Sequence, residues 1–96
     1  MSKCYWVYIL YCKNKTYYTG YTNDLLKRYQ SHLDGSSKCK YTRSFKPLKI
    51  VRSWKVHGKS HAMKIENFIK KLSRKEKEKI IKRPSSLVKR FSDDAI

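Results

Sequence analysis

The chain has 96 residues, 24 Lys and Arg against seven Asp and Glu, a formal net charge of +17, and 40% hydrophobic and 14% aromatic content. The length bounds the expectation to one domain over residues 1–96 with a limited core. The apolar content argues against disorder, and the charge calls for a polyanionic partner. Nucleic acid stands first. An anionic membrane surface stands second, because no basic amphipathic segment is set apart from the fold. The longest apolar run, Tyr5 to Cys12, is too short to span a bilayer. Lys3 leads into a strand-like run with no small-residue cleavage site, so no signal peptide is read and the expected location is cytoplasmic, with nucleoid association an option. Cys4, Cys12 and Cys39 have no CxxC spacing and are read as buried or inert thiols.

Tyr5 to Cys12 is aromatic and β-branched on both faces, which predicts a central strand. Lys13 to Thr16 predicts a turn, with Asn14 suited to positive φ. Tyr17 to Tyr21 predicts the return strand of a hairpin. Within it, Gly20 leaves room for another group to approach. A two-residue turn pairing Tyr11 with Tyr18 would put Tyr8 on the face of Tyr21. A three-residue turn or a bulge would pair Leu10 with Tyr18 and put Tyr8 and Tyr18 on one face. The sequence leaves both open.

Thr22 or Asn23 is expected to cap a helix with Asp24 in its first turn. Leu25, Leu26, Tyr29 and Leu33 form its apolar stripe, Arg28 and His32 stand four residues apart on one flank, and Gly35 ends it. The loop 36–47 interleaves Lys38, Lys40, Arg43 and Lys46 with Tyr41 and Phe45. That mixture suits phosphates and stackable bases, and equally a solvated loop with two anchoring aromatics.

Leu48 to His57 alternates, with Leu48, Ile50, Arg52, Trp54 and Val56 on one side, and predicts a third strand. Ser60 is read as the cap of a second helix from about His61 to Leu72, whose apolar face holds Ala62, Ile65, Phe68, Ile69 and Leu72. Glu66 falls at the boundary of that face. Ser73 to Glu76 is a capping box opening a third helix to about Lys82. Arg83-Pro84 stops it, Ser85 to Phe91 makes one more short turn, and Ser92 to Ile96 frays. The order β-β-α-β-α-α predicts an α/β fold of the α+β kind. Its three-stranded antiparallel sheet has the first strand in the middle and is flanked by about three helices. The core spans about 5–80, with a basic extension over 83–96.

Phosphodiester hydrolysis needs a deprotonated, aligned water, stabilised charge on phosphorus and a neutralised leaving oxygen. Glu66 is one of three glutamates, among eleven Lys and Arg between Lys64 and Arg90. On a cleft edge it could anchor Mg2+, which uses one or two carboxylates and completes its shell with water and phosphate oxygens. A glutamate on a helix is more often simply solvated. Arg28 offers a fixed fork of donors to a phosphate, and His32 could position a water or act as acid or base. As an isolated pair they would be ordinary surface chemistry. Tyr8 and Tyr18 would be core aromatics if they stood alone, but surrounding cations would favour their phenolate forms.

The spacing of these residues resembles the GIY-YIG nuclease signature over about residues 5–80. Trp6-Val7-Tyr8 stands for the first triplet and Tyr18-Thr19-Gly20 for the second, followed by Arg28, His32 and Glu66. Trp6 replaces the first glycine and Thr19 the isoleucine of the second triplet. Tyr21 falls where some members, including the bacterial excision-repair nuclease, carry Lys. Lys40-Tyr41-Thr42-Arg43 and Ile69 to Glu76 also resemble a small stand-alone bacterial subgroup.

The resemblance implies the GIY-YIG fold and a metal-dependent endonuclease acting structure-selectively or with weak specificity on DNA, in repair or recombination. The catalytic set it implies is Tyr8, Tyr18, Arg28, His32 and Glu66. Tyr18 would help activate water, Arg28 would stabilise the transition state, and Glu66 would hold one divalent ion, Mg2+ or Mn2+. The nucleic-acid-binding candidates are Tyr21, Lys38, Lys40, Tyr41, Arg43 and Lys46, with DNA ahead of RNA. With no room for a target-finding domain, specificity would fall to a protein partner or a homodimer. The alternative is a catalytically weak or inactive nucleic-acid-binding module. A purely structural basic protein would explain the charge but not the constellation.

Overall fold

The computed structural model describes residues 4–34 and 46–92, with side chains up to Val88. Three strands, β1 (Cys4–Cys12), β2 (Tyr17–Thr22) and β3 (Pro47–His57), form an antiparallel sheet in the order β2-β1-β3. Among the described residues, four helices follow or interrupt them: α1 (Leu25–Asp34), α2 (Lys59–Lys70), α3 (Arg74–Lys82) and α4 (Ser85–Ser92). The last is a two-turn helix where the sequence suggested a short turn. β1 is central and apolar on both faces because it is covered on both. One face carries Val7 and Ile9 against Trp54, Val56, Ala62, Ile65, Ile69, Ile80 and Leu87. The other carries Tyr8, Leu10 and Cys12 against Tyr18, Leu25, Tyr29 and Ile50.

The hairpin register is the one that puts both signature tyrosines on one face. Leu10 pairs with Tyr18 and Tyr8 with Gly20. The turn has three residues. The Cys12 carbonyl accepts from the Lys15 N–H, and the Cys12 N–H donates to the Thr16 carbonyl, each at 2.9 Å. Loops of this length end in a left-handed residue, and here that residue is Lys15 at φ 64°, not Asn14.

β3 does not keep strict alternation. Ile9 pairs with Arg52 but Leu10 with Ile50, so Val51 is an extra residue, and Leu48 is skipped in the same way. Each bulge flips the faces that follow it. Ile50 therefore joins Leu10 on one face while Trp54 faces α2 on the other, and Leu48 is left exposed.

The capping box of α3 forms as expected. The Ser73 hydroxyl accepts from the Glu76 N–H and the Glu76 carboxylate accepts from the Ser73 N–H, both at 3.2 Å. α3 then docks on the hairpin. The Arg74 guanidinium lies 4.9 Å from the Tyr17 ring centroid and donates to the Lys15 carbonyl. The Trp54 indole N–H donates to the Pro84 carbonyl at 3.1 Å, which ties the start of α4 to the sheet. Among the described residues, no helix is long and apolar enough to cross a membrane.

Thr19 is 3% exposed, and its hydroxyl has no hydrogen-bond partner among the described residues. A buried hydroxyl without a partner costs about 1–3 kcal/mol. Thr19→Val keeps the shape and removes the hydroxyl. It is expected to raise stability by about 1 kcal/mol, read as a higher urea midpoint at unchanged slope.

Candidate active site

β2 is an edge strand, and the site lies along its free side. A cleft of about 330 Å³ is lined by Tyr18, Gly20, Tyr21, Thr22 and Asn23 from β2 and its end, Tyr5 from β1, Arg28 from α1, and Lys59 and Glu66 from α2. α1 packs on one face of the sheet and α2 on the other. The edge strand is thus flanked by a cation from one layer and a carboxylate from the opposite layer.

α1 enters this arrangement through Asp24, whose carboxylate accepts from the Lys27 N–H at 3.1 Å. That makes Asp24 the N-cap, one or two residues later than Thr22 or Asn23. Leu25 and Tyr29 of the expected stripe pack against the Tyr8–Leu10–Cys12 cluster, but the inward side is rotated away from Leu26 and toward His32. Leu26 is 80% exposed, whereas His32 is wholly buried. His32 can be buried because its Nε2 is 2.8 Å from the Tyr8 hydroxyl, and its ring meets Tyr8 and Tyr18 edge-on at centroid distances of 5.8 and 5.1 Å. A buried polar group is tolerated when it is paired in this way. Arg28, one turn earlier on the same side of α1, reaches the cleft.

Gly20 is required by the same contact. A Cβ there would lie 2.5 Å from the Tyr8 hydroxyl, 2.8 Å from its Cζ and 3.3 Å from Tyr18 Cε1. Tyr8, 1% exposed, therefore uses the space that Gly20 leaves free and hands its hydroxyl to His32.

α2 begins two residues earlier than the sequence suggests. Gly58, at φ 88° and without a side-chain cap, occupies the N-cap position, so Ser60 lies inside the helix. This start brings Lys59 into the helix seven residues, close to two turns, before Glu66, and both line the cleft. Glu66 is 13% exposed and 3.4 Å from the Lys70 ammonium.

Of the residues singled out from the sequence, Tyr18, Tyr21, Arg28 and Glu66 line the cleft. Tyr8 and His32 do not line it. They form a buried hydrogen-bonded pair behind Tyr18. Lys46 is exposed, lies beside the hairpin turn, where its carbonyl accepts from the Lys13 N–H at 2.9 Å, and is not part of the cleft lining. Lys38, Lys40, Tyr41 and Arg43 lie outside the described residues. Lys59 was not anticipated, although its spacing from Glu66 was a usable signal. Cys4 and Cys12 are free thiols. Burial pushes the Cys12 thiol up.

Burial, and after it the nearby Arg28 charge, push the His32 pKa down from 6.5 to about 4. The imidazole is therefore neutral at pH 7. Above pH 6.5, neither the folded nor the unfolded chain protonates it. Between 6.5 and about 4, the unfolded chain takes up a proton that the folded chain refuses, so stability falls with falling pH across that window. The loss reaches about 3 kcal/mol. His32→Gln is expected to flatten this part of the curve of urea midpoint against pH. An unchanged slope would mean that His32 is not buried neutral.

The donor set bears on a metal. Among the described residues, no group of three or more His, Cys, Asp and Glu comes together. A four-ligand zinc site is therefore not built from them. A Mg2+-type ion, which keeps its water and takes phosphate oxygens, fits a site with a single carboxylate. Glu66 is the residue that would hold it.

The fold, the paired tyrosines and the Arg/Glu cleft define a GIY-YIG domain. The family model described as the GIY-YIG catalytic domain matches residues 4–79, and the chain belongs to this family. Its similarity runs in particular to the UPF0213 proteins. It is 49% identical over 82 residues to the one from Syntrophus aciditrophicus, covering 85% of this chain and 93% of the relative. It is 42% identical over 85 residues to the one from Fusobacterium nucleatum, covering 88% and 84%. The solution NMR structure of the Bacillus halodurans UPF0213 protein superposes with a TM-score of 0.54 at 40% identity, over 82% of this chain and 83% of that one. The family is a nuclease family, which implies a nucleic-acid substrate.

Proposed function

We propose that the protein is a divalent-metal-dependent endonuclease that hydrolyses phosphodiester bonds in DNA ahead of RNA, selecting structure more than sequence and serving repair or recombination. The observation that carries this is the cleft at the β2 edge, where Tyr18, Arg28 and Glu66 from three different elements line one pocket. Arg28 presents a fixed fork to the scissile phosphate and stabilises charge that develops on its oxygens. Tyr18, which shares the cleft with Arg28 and Lys59, aligns the attacking water and helps take its proton. The Tyr8–His32 hydrogen bond, buried and neutral, holds the floor on which the Tyr18 ring rests. Glu66 would hold Mg2+ or Mn2+, which supplies Lewis-acid polarisation of a phosphoryl oxygen when bound. Specificity beyond shape falls to a partner or a homodimer.

A catalytically weak binding module is the second reading. One observation favours it: among the described residues, the only carboxylate lining the cleft is engaged by Lys70. A cleavage assay separates the two. Plasmid, bubble, branched and single-stranded DNA and RNA hairpins are incubated with Mg2+ or Mn2+, with Tyr18→Phe as the contamination control. Metal-dependent cutting lost in the variant is the expected result. No cutting of any substrate, alongside salt-sensitive binding, would replace the nuclease by the binder.

A further inference from the structure

Trp6 is a large aromatic residue outside both cores. Among the described residues it belongs to neither apolar cluster, although every residue from Val7 to Leu10 is fully buried. It remains partly exposed on the face of the sheet that carries Tyr8 and Tyr18. Its cross-strand partners are Thr22 on one side and Lys55 on the other. Thr22 lines the cleft, so Trp6 stands one strand spacing, about 4.8 Å, in from the cleft wall. The Lys55 ammonium lies 6.0 Å from its ring centroid. The resulting row runs from cleft wall to aromatic ring to cation. A partly exposed ring outside both apolar clusters, next to a cation and a cleft of about 330 Å³, in a chain of net charge +17, is complementary to one nucleotide of a single strand. The base would stack on the ring and the adjoining phosphate would meet the ammonium.

We infer that Trp6 and Lys55 form a stacking subsite for an unpaired base next to the cleaved bond, so that the protein prefers single-stranded or locally opened nucleic acid over continuous duplex. The subsite rests on the reading of the cleft as a nucleic-acid site. A base inside an intact duplex is stacked on its neighbours and cannot take this ring, whereas a base at a bubble, branch or single strand can.

The test is a binding experiment on the full chain with a chelator present, so that no strand is cut. Single-stranded DNA, single-stranded RNA of the same sequence, and the duplex are titrated against intrinsic tryptophan fluorescence, with affinity read in parallel by anisotropy of end-labelled strands. Both single strands are expected to quench the fluorescence and the duplex to leave it nearly unchanged. The stronger of the two shows which sugar the site accepts better. Trp6→Phe keeps a ring, so it should hold its affinity but lose the quench, since the remaining Trp54 is buried. Trp6→Ala should weaken single-strand binding roughly tenfold and leave duplex binding unchanged. Lys55→Ala should lower the salt dependence of single-strand binding by about one phosphate contact. A quench that persists in Trp6→Phe, or an equal loss on single strand and duplex in Trp6→Ala, overturns the subsite. A protein that stacks through Trp6 yet cuts nothing keeps this inference and loses the nuclease. One that cuts without a Trp6 quench does the reverse.

Discussion

Glu66→Ala is expected to abolish cleavage and to leave nucleic-acid binding intact or slightly tighter. The two effects separate because the carboxylate has opposite meanings for them. In binding, it is a negative charge in a cleft that also holds Arg28 and Lys59, and its removal relieves repulsion from phosphate. In the proposed catalysis, it is the one carboxylate lining the cleft among the described residues and would hold the divalent ion, whose polarisation of the phosphoryl oxygen would contribute several kcal/mol. A loss of about 4 kcal/mol is a rate reduction on the order of 10³-fold. The fold should not intervene, because the partner Lys70 is half-exposed and the two form an i,i+4 helix pair, worth about 0.5 kcal/mol. Single-turnover cleavage and strand affinity, measured on the same preparation, check both halves. Loss of binding in a folded Glu66→Ala protein would contradict the assignment of the ion to this residue.

Gly20→Ala should damage both stability and activity. A Cβ at 2.5 Å from the Tyr8 hydroxyl forces that ring to move, and the ring is buried with its hydroxyl committed to His32. Overpacking of this kind costs about 1–3 kcal/mol, and the lost hydrogen bond adds about 1 kcal/mol. Tyr18 rests against His32 and would be misplaced with it. Tyr8→Phe in the Gly20→Ala background removes the closest atom and should recover part of the stability, but not the activity, since the His32 bond stays broken. Thermal melts of the two single variants and the double variant form the cycle. Strict additivity would show that the two side chains do not meet.

The sheet could be read from the sequence because β1 shows its apolar character on both faces, and only a central strand needs that. The hairpin could be read down to a choice of two registers, and the odd-length turn made the choice. The bulges in β3 could not be read. A bulge leaves no mark in hydropathy, and strict alternation placed Ile50 with Trp54 when they lie on opposite faces. The inward side of α1 was read in part, with Leu25 and Tyr29 packing as expected and Leu26 and His32 departing for a related reason. Hydropathy puts Leu26 inside and His32 only at the flank of the stripe, but a histidine paired to a tyrosine hydroxyl is no longer expensive to bury. Arg28 and Glu66 stood out by spacing, whereas Lys59 was hidden because Ser60 looked like the start of the helix.

The two sides of the cleft belong to different halves of the molecule. Arg28 rides on α1, which is seated on the Tyr8–Leu10–Cys12 side, and Glu66 rides on α2, which is seated on the Val7–Ile9 side. A substitution beneath either helix can shift its own charge without disturbing the other. The gap between cation and carboxylate can therefore drift by small steps in either core. Descendants of one ancestral chain could diverge in the strand they accept while every residue that touches it stays the same.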